Sequence, residues 1–115
     1  MKSVTYDKSF AFAVEIVKTA KELRLNREYE LASQLIRSGV SIGANIAESE
    51  FAQSDADFVT KLSIALKEAA ESRYWLKLLT ATEDISDETS IKLLSQVDEI
   101  IRLLVASIKT KKSKL

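Results

Sequence analysis

The sequence predicts an all-α protein folded as an up-down-up-down antiparallel four-helix bundle. The chain contains no proline and only two glycines, so it has almost none of the glycine and proline residues that tight β-hairpin turns favour. Four long segments instead repeat apolar residues every three or four positions, which is the spacing of an amphipathic helix. The breaks between these segments are short, and short connections favour antiparallel neighbours in a bundle.

The first predicted helix covers roughly residues 6–24. Its apolar stripe is expected to face the core. The stripe consists of Phe10, Ala13, Val14, Val17 and Ala20, and it ends at Lys21. The second half of this segment is basic and carries Lys18, Lys21, Arg24 and, just beyond the helix, Arg27. Asn26 lies in the break that follows and is expected to cap the second helix.

The second predicted helix covers roughly residues 27–50 and contains both glycines. Glycine inside a helix costs about 1 kcal/mol relative to alanine, so two of them require a packing reason. One face of this helix carries Leu31, Leu35, Ser38, Ile42 and Ile46. The adjoining face is mostly small, and its Gly39, Gly43 and Ala47 are expected to let a neighbouring helix approach closely. Because an ordinary surface helix shows an apolar stripe of little more than about 100°, this wider apolar surface predicts a subunit interface, and hence an oligomer.

A narrow polar stripe follows the remaining face of the second helix. Its members are Glu30, Gln34, Arg37, Ser41, Asn45 and Glu48. Antiparallel packing brings the third helix level with it, and we expect Arg37 to pair with Glu68 or Glu71, because a buried guanidinium needs a carboxylate. We interpret Arg37, Ser41, Asn45, Glu48, Glu68 and Glu71 as a polar network that sets register and assembly. The alternative interpretation is a catalytic or ligand-binding site.

The third and fourth predicted helices each begin after a serine. Ser54 is the expected N-cap of a helix over roughly residues 55–82, and Ser86 is the expected N-cap of the last helix. The third helix has a seam of alternating four- and three-residue steps, which is typical of bundle packing, at Phe58, Leu62, Ala65, Ala69, Ser72, Leu76 and Leu79. The stripe of the fourth helix is Ile91, Leu94, Val97, Ile101, Leu104 and Ile108.

These helices predict one bundle domain over residues 1–108, followed by a basic C-terminal tail over residues 109–115. The tail contains Lys109, Lys111, Lys112 and Lys114 and no acidic residue, so the remaining 13 basic residues face all 17 acidic ones. The bundle is therefore acidic although the whole chain is neutral. The tail has two interpretations: a solvated helix end, where lysines suit the helix dipole, or an arm for nucleic acid or another polyanion.

Composition excludes several classes of function. The chain has no cysteine and no histidine, which removes disulfides, Ser-His-Asp and Cys-His nucleophile systems and the usual zinc sites. We therefore expect no enzymatic activity and no metal or cofactor. The N-terminus has no signal-peptide pattern, and no apolar run approaches the length of a membrane span. The expectation is a cytoplasmic protein without a membrane partner.

Short segments resemble a known family. Residues 41–48 read SIGANIAE and resemble the S-I-x-x-N-I-A-E core of the four-helix-bundle family named after the 23S ribosomal RNA intervening-sequence proteins. Residues 34–37, QLIR, are similar to the family's Q-L-R-R segment, and residues 54–58, SDADF, are similar to its S-x-x-E-F segment. Residues 66–69, LKEA, with Glu71, resemble its third-helix acidic segment.

The resemblance implies a small antiparallel bundle that assembles into a ring-like homopentamer. It also extends to the accessory proteins of diversity-generating retroelements, which are strongly basic and bind nucleic acid beside a reverse transcriptase, whereas this chain is neutral.

Three functional hypotheses follow. The first is a non-enzymatic homo-oligomer that associates with RNA or a nucleoprotein partner through the basic residues 18, 21, 24 and 27 and the lysine tail. The second is a protein-directed scaffold or adaptor with no nucleic-acid role. The third is a carboxylate-based enzyme. It is the least favoured, because bundle di-iron sites use Glu-x-x-His motifs and the chain has no histidine.

Overall fold

The computed structural model describes residues 3–115, so the first two residues of the predicted domain lie outside the described part. The chain forms four α-helices in sequence order: α1 (Val4–Leu25), α2 (Tyr29–Ser49), α3 (Asp55–Ala81) and α4 (Asp87–Lys112). Each helix packs on its neighbours in sequence, and α4 closes the bundle against α1. Over residues 3–115 all regular structure is helical. The bundle measures 47 × 21 × 20 Å.

Helix starts agree with the predicted caps of α3 and α4. The side chain of Ser54 accepts a hydrogen bond from the Asp57 backbone N–H, and that of Ser86 accepts one from the Thr89 N–H. Acidic residues follow in the first turn of both helices, where they complement the dipole. Both predicted N-caps are confirmed.

The predicted cap at Asn26 was wrong. The Asn26 N–H donates to carbonyls in the last turn of α1, and the Glu28 N–H donates to the Leu23 carbonyl at 2.9 Å. Arg27 between them has φ of 65°, which turns the chain out of α1. Residues 26–28 therefore complete the end of α1, and α2 begins two residues later than predicted without a side-chain cap.

The core runs along the bundle axis and is built largely from aliphatic side chains. Its largest fully buried members are Phe12, Ile16, Leu23, Leu35, Ile42, Leu76, Leu79, Leu93, Ile100 and Leu104. The predicted seam of α3 is buried from Leu62 to Leu79, with Phe58 half-buried at its start. Two buried hydroxyls, Ser38 and Ser72, bond to each other at 3.0 Å across the α2–α3 contact.

The predicted apolar stripe of α1 was wrong in part, since Ala20 is its only member that is fully buried. Phe12, Ile16 and Leu23 enter the core, whereas Phe10 is 60% exposed and Val14 is 39% exposed. Both sets have helical spacing, so α1 is apolar on two faces, and periodicity alone does not choose between them. Apart from Ala20, the predicted stripe instead forms the outer edge of the α1–α2 contact.

The predicted stripe of α4 was wrong in part. Val97, Leu104 and Ile108 are buried as predicted. Leu93 is buried in place of Leu94, and Ile91 is 71% exposed. The core face of α4 is therefore rotated from the predicted one, and Ile91 points to solvent.

Candidate functional site

An apolar groove runs along the outer surface between α1 and α2. It consists of two adjoining cavities of about 250 Å³ and about 400 Å³ that share Phe10, Ala13 and Val40. Its lining comprises Tyr6, Phe10, Ala13, Val14, Val17, Lys18 and Lys21 from α1, and Val40, Gly43, Ala44 and Ala47 from α2. We call this surface the α1–α2 groove.

The groove leaves hydrocarbon in contact with water. Phe10 lies on its rim and Val40 lies opposite, and both are exposed. A contiguous apolar surface on a protein exterior marks an interaction site, because burying it is favourable by about 25 cal/mol per Å². Sequence reasoning assigned the α1 half of this surface to the core, but it did predict an apolar interface on α2.

The two predicted close-packing glycines face α1. A Cβ at Gly39 would lie 2.9 Å from Ile16 Cγ2, and a Cβ at Gly43 would lie 3.3 Å from Ser9 Oγ. Ala47, the third predicted member, lines the α1–α2 groove. Within the chain, the close neighbour of the glycine face is therefore α1.

The predicted pairing of Arg37 is confirmed. Arg37 Nη1 lies 3.3 Å from Glu68 Oε2, and Nη2 donates to Glu71 Oε2. Gln34 Oε1 accepts from Arg37 Nε and Nη2, each at 3.2 Å. Glu71 Oε2 also accepts from the indole N–H of Trp75 at 2.9 Å. The Arg37 side chain is 50% exposed, so its charge is not buried within the bundle.

The side chains of the other predicted network residues on α2 do not join Arg37, Glu68 and Glu71. Ser41 donates to the Arg37 carbonyl, and Asn45 Nδ2 donates to the Ser41 carbonyl at 2.8 Å, so both bond within their own helix. Glu48 Oε1 accepts from Lys61 Nζ at 3.0 Å, and this hydrogen bond raises the pKa of Lys61. The structure thus brings Arg37, Glu68 and Glu71 together and leaves Glu48 with Lys61.

The basic residues of α1 lie toward one end of the bundle. Lys18 and Lys21 line the α1–α2 groove, and Lys18 Nζ is 3.8 Å from Glu15 Oε2. Within the described part of the chain, Lys21, Arg24 and Arg27 form no ion pair, and all three are exposed. These cations are therefore available to an anionic partner.

The lysine tail lies at the opposite end of the bundle. Helix α4 continues to Lys112, so most of the predicted tail is helical. Lys111 Nζ lies 3.5 Å from Asp55 Oδ1 and 5.0 Å from the centre of the Phe58 ring, which holds it against the start of α3. Lys109, Lys112 and Lys114 are exposed and form no ion pair with other described residues.

Two further features bear on chemistry. Within residues 3–115, no group of three or more acidic side chains is arranged to hold a metal ion. In the same range, none of the helices combines the length and the apolar character needed to cross a bilayer.

Comparison with known proteins places these observations in a family. Residues 1–106 match the model of the 23S rRNA-intervening sequence protein family. The chain belongs to this family. The match covers all of α1, α2 and α3 and most of α4. It thus includes the α1–α2 groove and the group formed by Arg37, Glu68 and Glu71, which we call the Arg37 cluster.

A similar protein of solved structure has the same fold. It is a protein with unknown function from the S23 ribosomal protein family of Bacteroides thetaiotaomicron VPI-5482, with a crystal structure at 1.70 Å resolution. The two chains are 50% identical and superpose with a TM-score of 0.90, over 92% of this chain and 99% of that one. No curated protein matches this chain significantly.

Proposed function

We propose that this protein is a non-enzymatic homo-oligomeric scaffold, a homopentamer, that associates with RNA or a nucleoprotein partner through its basic residues. The observation that carries the proposal is the α1–α2 groove, where Phe10, Val14 and Val40 are exposed in a lone protomer. The number five and the ring form come from the family resemblance. A ring of five identical subunits needs two different complementary surfaces on each subunit, and the groove supplies one.

The polar stripe of α2 supports the assembly role. Arg37, Glu68 and Glu71 lie on the surface between α2 and α3, where a half-exposed ion pair contributes little stability by itself. Charged networks of this kind set register and partner choice more than affinity. An Arg37→Ala variant is expected to change the assembly state or lower the melting temperature, and a variant unchanged in both would contradict this role.

The unpaired cations support association with a polyanion. Lys109, Lys112 and Lys114 lie at one end of the bundle without acidic partners among the described residues. A single short arm binds phosphate weakly, but a ring in parallel register gathers several arms on one face, and avidity multiplies their affinity. Contacts of this kind position phosphates and read no base sequence.

The test combines mass and binding. Light scattering of the purified chain, with and without a structured RNA, reports the assembly and the complex together. Filter binding at rising salt is expected to show an affinity that falls as salt increases, since phosphate contacts release counterions. A Lys109→Ala/Lys112→Ala/Lys114→Ala variant is expected to bind RNA more weakly and with a shallower salt dependence. The control is Lys67→Ala/Lys77→Ala, which removes lysines from α3 and should change RNA binding less. A monomeric mass at high protein concentration contradicts the scaffold, and no binding at low ionic strength contradicts the RNA role.

The acidic bundle favours a second candidate function, a protein-directed adaptor. Apart from residues 109–115, acidic residues outnumber basic ones by 17 to 13, and this net charge repels phosphate. Pull-down from a nuclease-treated lysate separates the two functions, because an adaptor retains its protein partner after nuclease treatment, whereas a partner held through RNA is lost.

A further inference from the structure

The outward side of α4 carries residues that the bundle does not use. Glu88, Ile91, Ser95, Arg102 and Val105 are all exposed and recur at helical spacing along one face. We call this surface the α4 outer face. Its most exposed apolar side chain is Ile91, and neither Glu88 nor Arg102 forms an ion pair with another described residue.

Two ion pairs define the register between α4 and α1 in the protomer. Lys92 Nζ lies 2.8 Å from Glu15 Oε1, and Lys8 Nζ lies 3.3 Å from Glu99 Oε1. Since the helices are antiparallel, Ile91 lies at about the height of Val14 and Val17 along the bundle axis.

The same register gives the heights of the charged residues along the bundle axis. Glu88, one turn before Ile91, lies at about the height of Lys18 and Lys21. Arg102 lies near the height of Asp7, an exposed acid in the first turn of α1. From the height of Lys21 to that of Asp7, the α1–α2 groove side is therefore first basic, then apolar, then acidic. Over the same heights, the α4 outer face is first acidic, then apolar, then basic.

We propose that the α4 outer face of a second copy occupies the α1–α2 groove, with the two bundles in parallel register. This inference rests on the proposed homo-oligomer and names the surface that completes its interface. Ile91 of one copy packs on Val14 and Val17 of the next, and Glu88 lies beside Lys18 and Lys21. The contact joins two different surfaces, so in a pair one copy keeps its α4 outer face free and the other keeps its groove free for further neighbours, as a closed ring requires.

Charge argues against α3 as the occupant. The outward side of α3 carries Lys67 and Lys77 beside the exposed Tyr74. Seated in the groove, this face would place lysines against Lys18 and Lys21, and like charges brought together at an interface are unfavourable. The α4 outer face presents an acid at that height instead.

The test is a charge swap followed by mass and association measurements. Glu88→Lys and Lys21→Glu are each expected to weaken association, because each places like charges together, and the double variant is expected to recover it. Both residues are exposed, so circular dichroism should show an unchanged fold. Ile91→Ser is expected to weaken association at least ~10-fold, or about 1.4 kcal/mol. Tyr74→Ser on α3 is the matched control and should leave association unchanged.

The outcomes separate this inference from the proposed function. If Phe10→Ser lowers the mass while Glu88→Lys and Ile91→Ser do not, the groove is an interface but α4 is not its occupant. If Asp7→Lys weakens association and Glu88→Lys does not, two grooves pair with each other in antiparallel register, which also overturns the inference. In both cases the homo-oligomer survives. A monomeric wild-type chain overturns both.

Discussion

Ile16 of α1 packs directly on Gly39 of α2, with its Cγ2 only 2.9 Å from the position that a Cβ on residue 39 would take. Ile16 is fully buried, and its Cβ would itself lie 3.3 Å from the added atom, so a rotamer change does not relieve the contact. The glycine therefore sets the distance between the two helices that form the α1–α2 groove.

Gly39→Ala is expected to destabilise the protein although alanine is the better helix former. Overpacking a core typically costs about 1–3 kcal/mol. Over most of this range the cost is larger than the gain of about 1 kcal/mol in helix propensity. Gly43→Ala is the matched control, because its Cβ meets Ser9 Oγ at 3.3 Å and no other atom nearer than 3.7 Å. Urea unfolding of both variants makes the comparison, and a Gly39→Ala protein more stable than Gly43→Ala would contradict it.

Trp75 reports on the Arg37 cluster. It is the single tryptophan of the chain, and its indole N–H donates to Glu71 Oε2 at 2.9 Å. Glu71→Ala is expected to shift the emission maximum, because the indole exchanges its carboxylate acceptor for water. Glu71→Gln keeps an acceptor and should shift the emission less. An equal effect of Lys61→Ala, which removes the separate pair with Glu48, would show that the signal is not specific to this cluster.

Although Lys111 and Lys112 are adjacent, their removal is expected to have different effects on hydrogen exchange at the end of α4. Lys111 is held by Asp55 and by the Phe58 ring, whereas Lys112 is exposed and forms no ion pair within the described chain. Lys111→Ala should therefore increase hydrogen exchange in the last turns of α4, and Lys112→Ala should change it little. The reverse order of protection would contradict the docking of Lys111.

The ion pair between Glu15 and Lys92 predicts a pH dependence of stability. The hydrogen bond from Lys92 is the main cause of a lowered pKa at Glu15, and partial desolvation opposes it. Because the folded-state pKa lies below the ordinary value of 4.5, the stabilisation is present above pH 4.5 and is lost as pH falls through the lowered pKa. The effect is small, since the pair is exposed to solvent and screened by salt.

Melting temperatures of wild type and Glu15→Gln provide the measurement. Wild type is expected to be slightly more stable at neutral pH, and the difference should disappear well below pH 4.5. Glu22→Gln, on the same helix and without an ion pair within the described residues, is the control and should show no such pH-dependent difference. A difference for Glu15→Gln that persists at acidic pH would contradict the assignment to this ion pair.

The contacts of α2 were predictable from residue spacing together with the antiparallel topology. The pairing of Arg37 with Glu68 and Glu71 follows from antiparallel topology, because residues level with each other on adjacent helices must meet. The glycine spacing predicted a close approach, and its partner proved to be α1. The exposure of Phe10 and Ile91 was not predictable in this way. Each lies on a helix with more apolar residues than one face needs, so periodicity offered two candidate core faces.

The four helices, their order, and the serine caps of α3 and α4 could all be read from the amino-acid sequence, because helix propensity, capping and apolar spacing are local properties. Which face of α1 and of α4 enters the core depends on how the helices pack against one another. Packing volume makes that choice: Ile16 fits against Gly39, and once it does, Phe10 and Val14 must turn outward. The α1–α2 groove is thus a consequence of how two helices fit together, and neither helix specifies it alone.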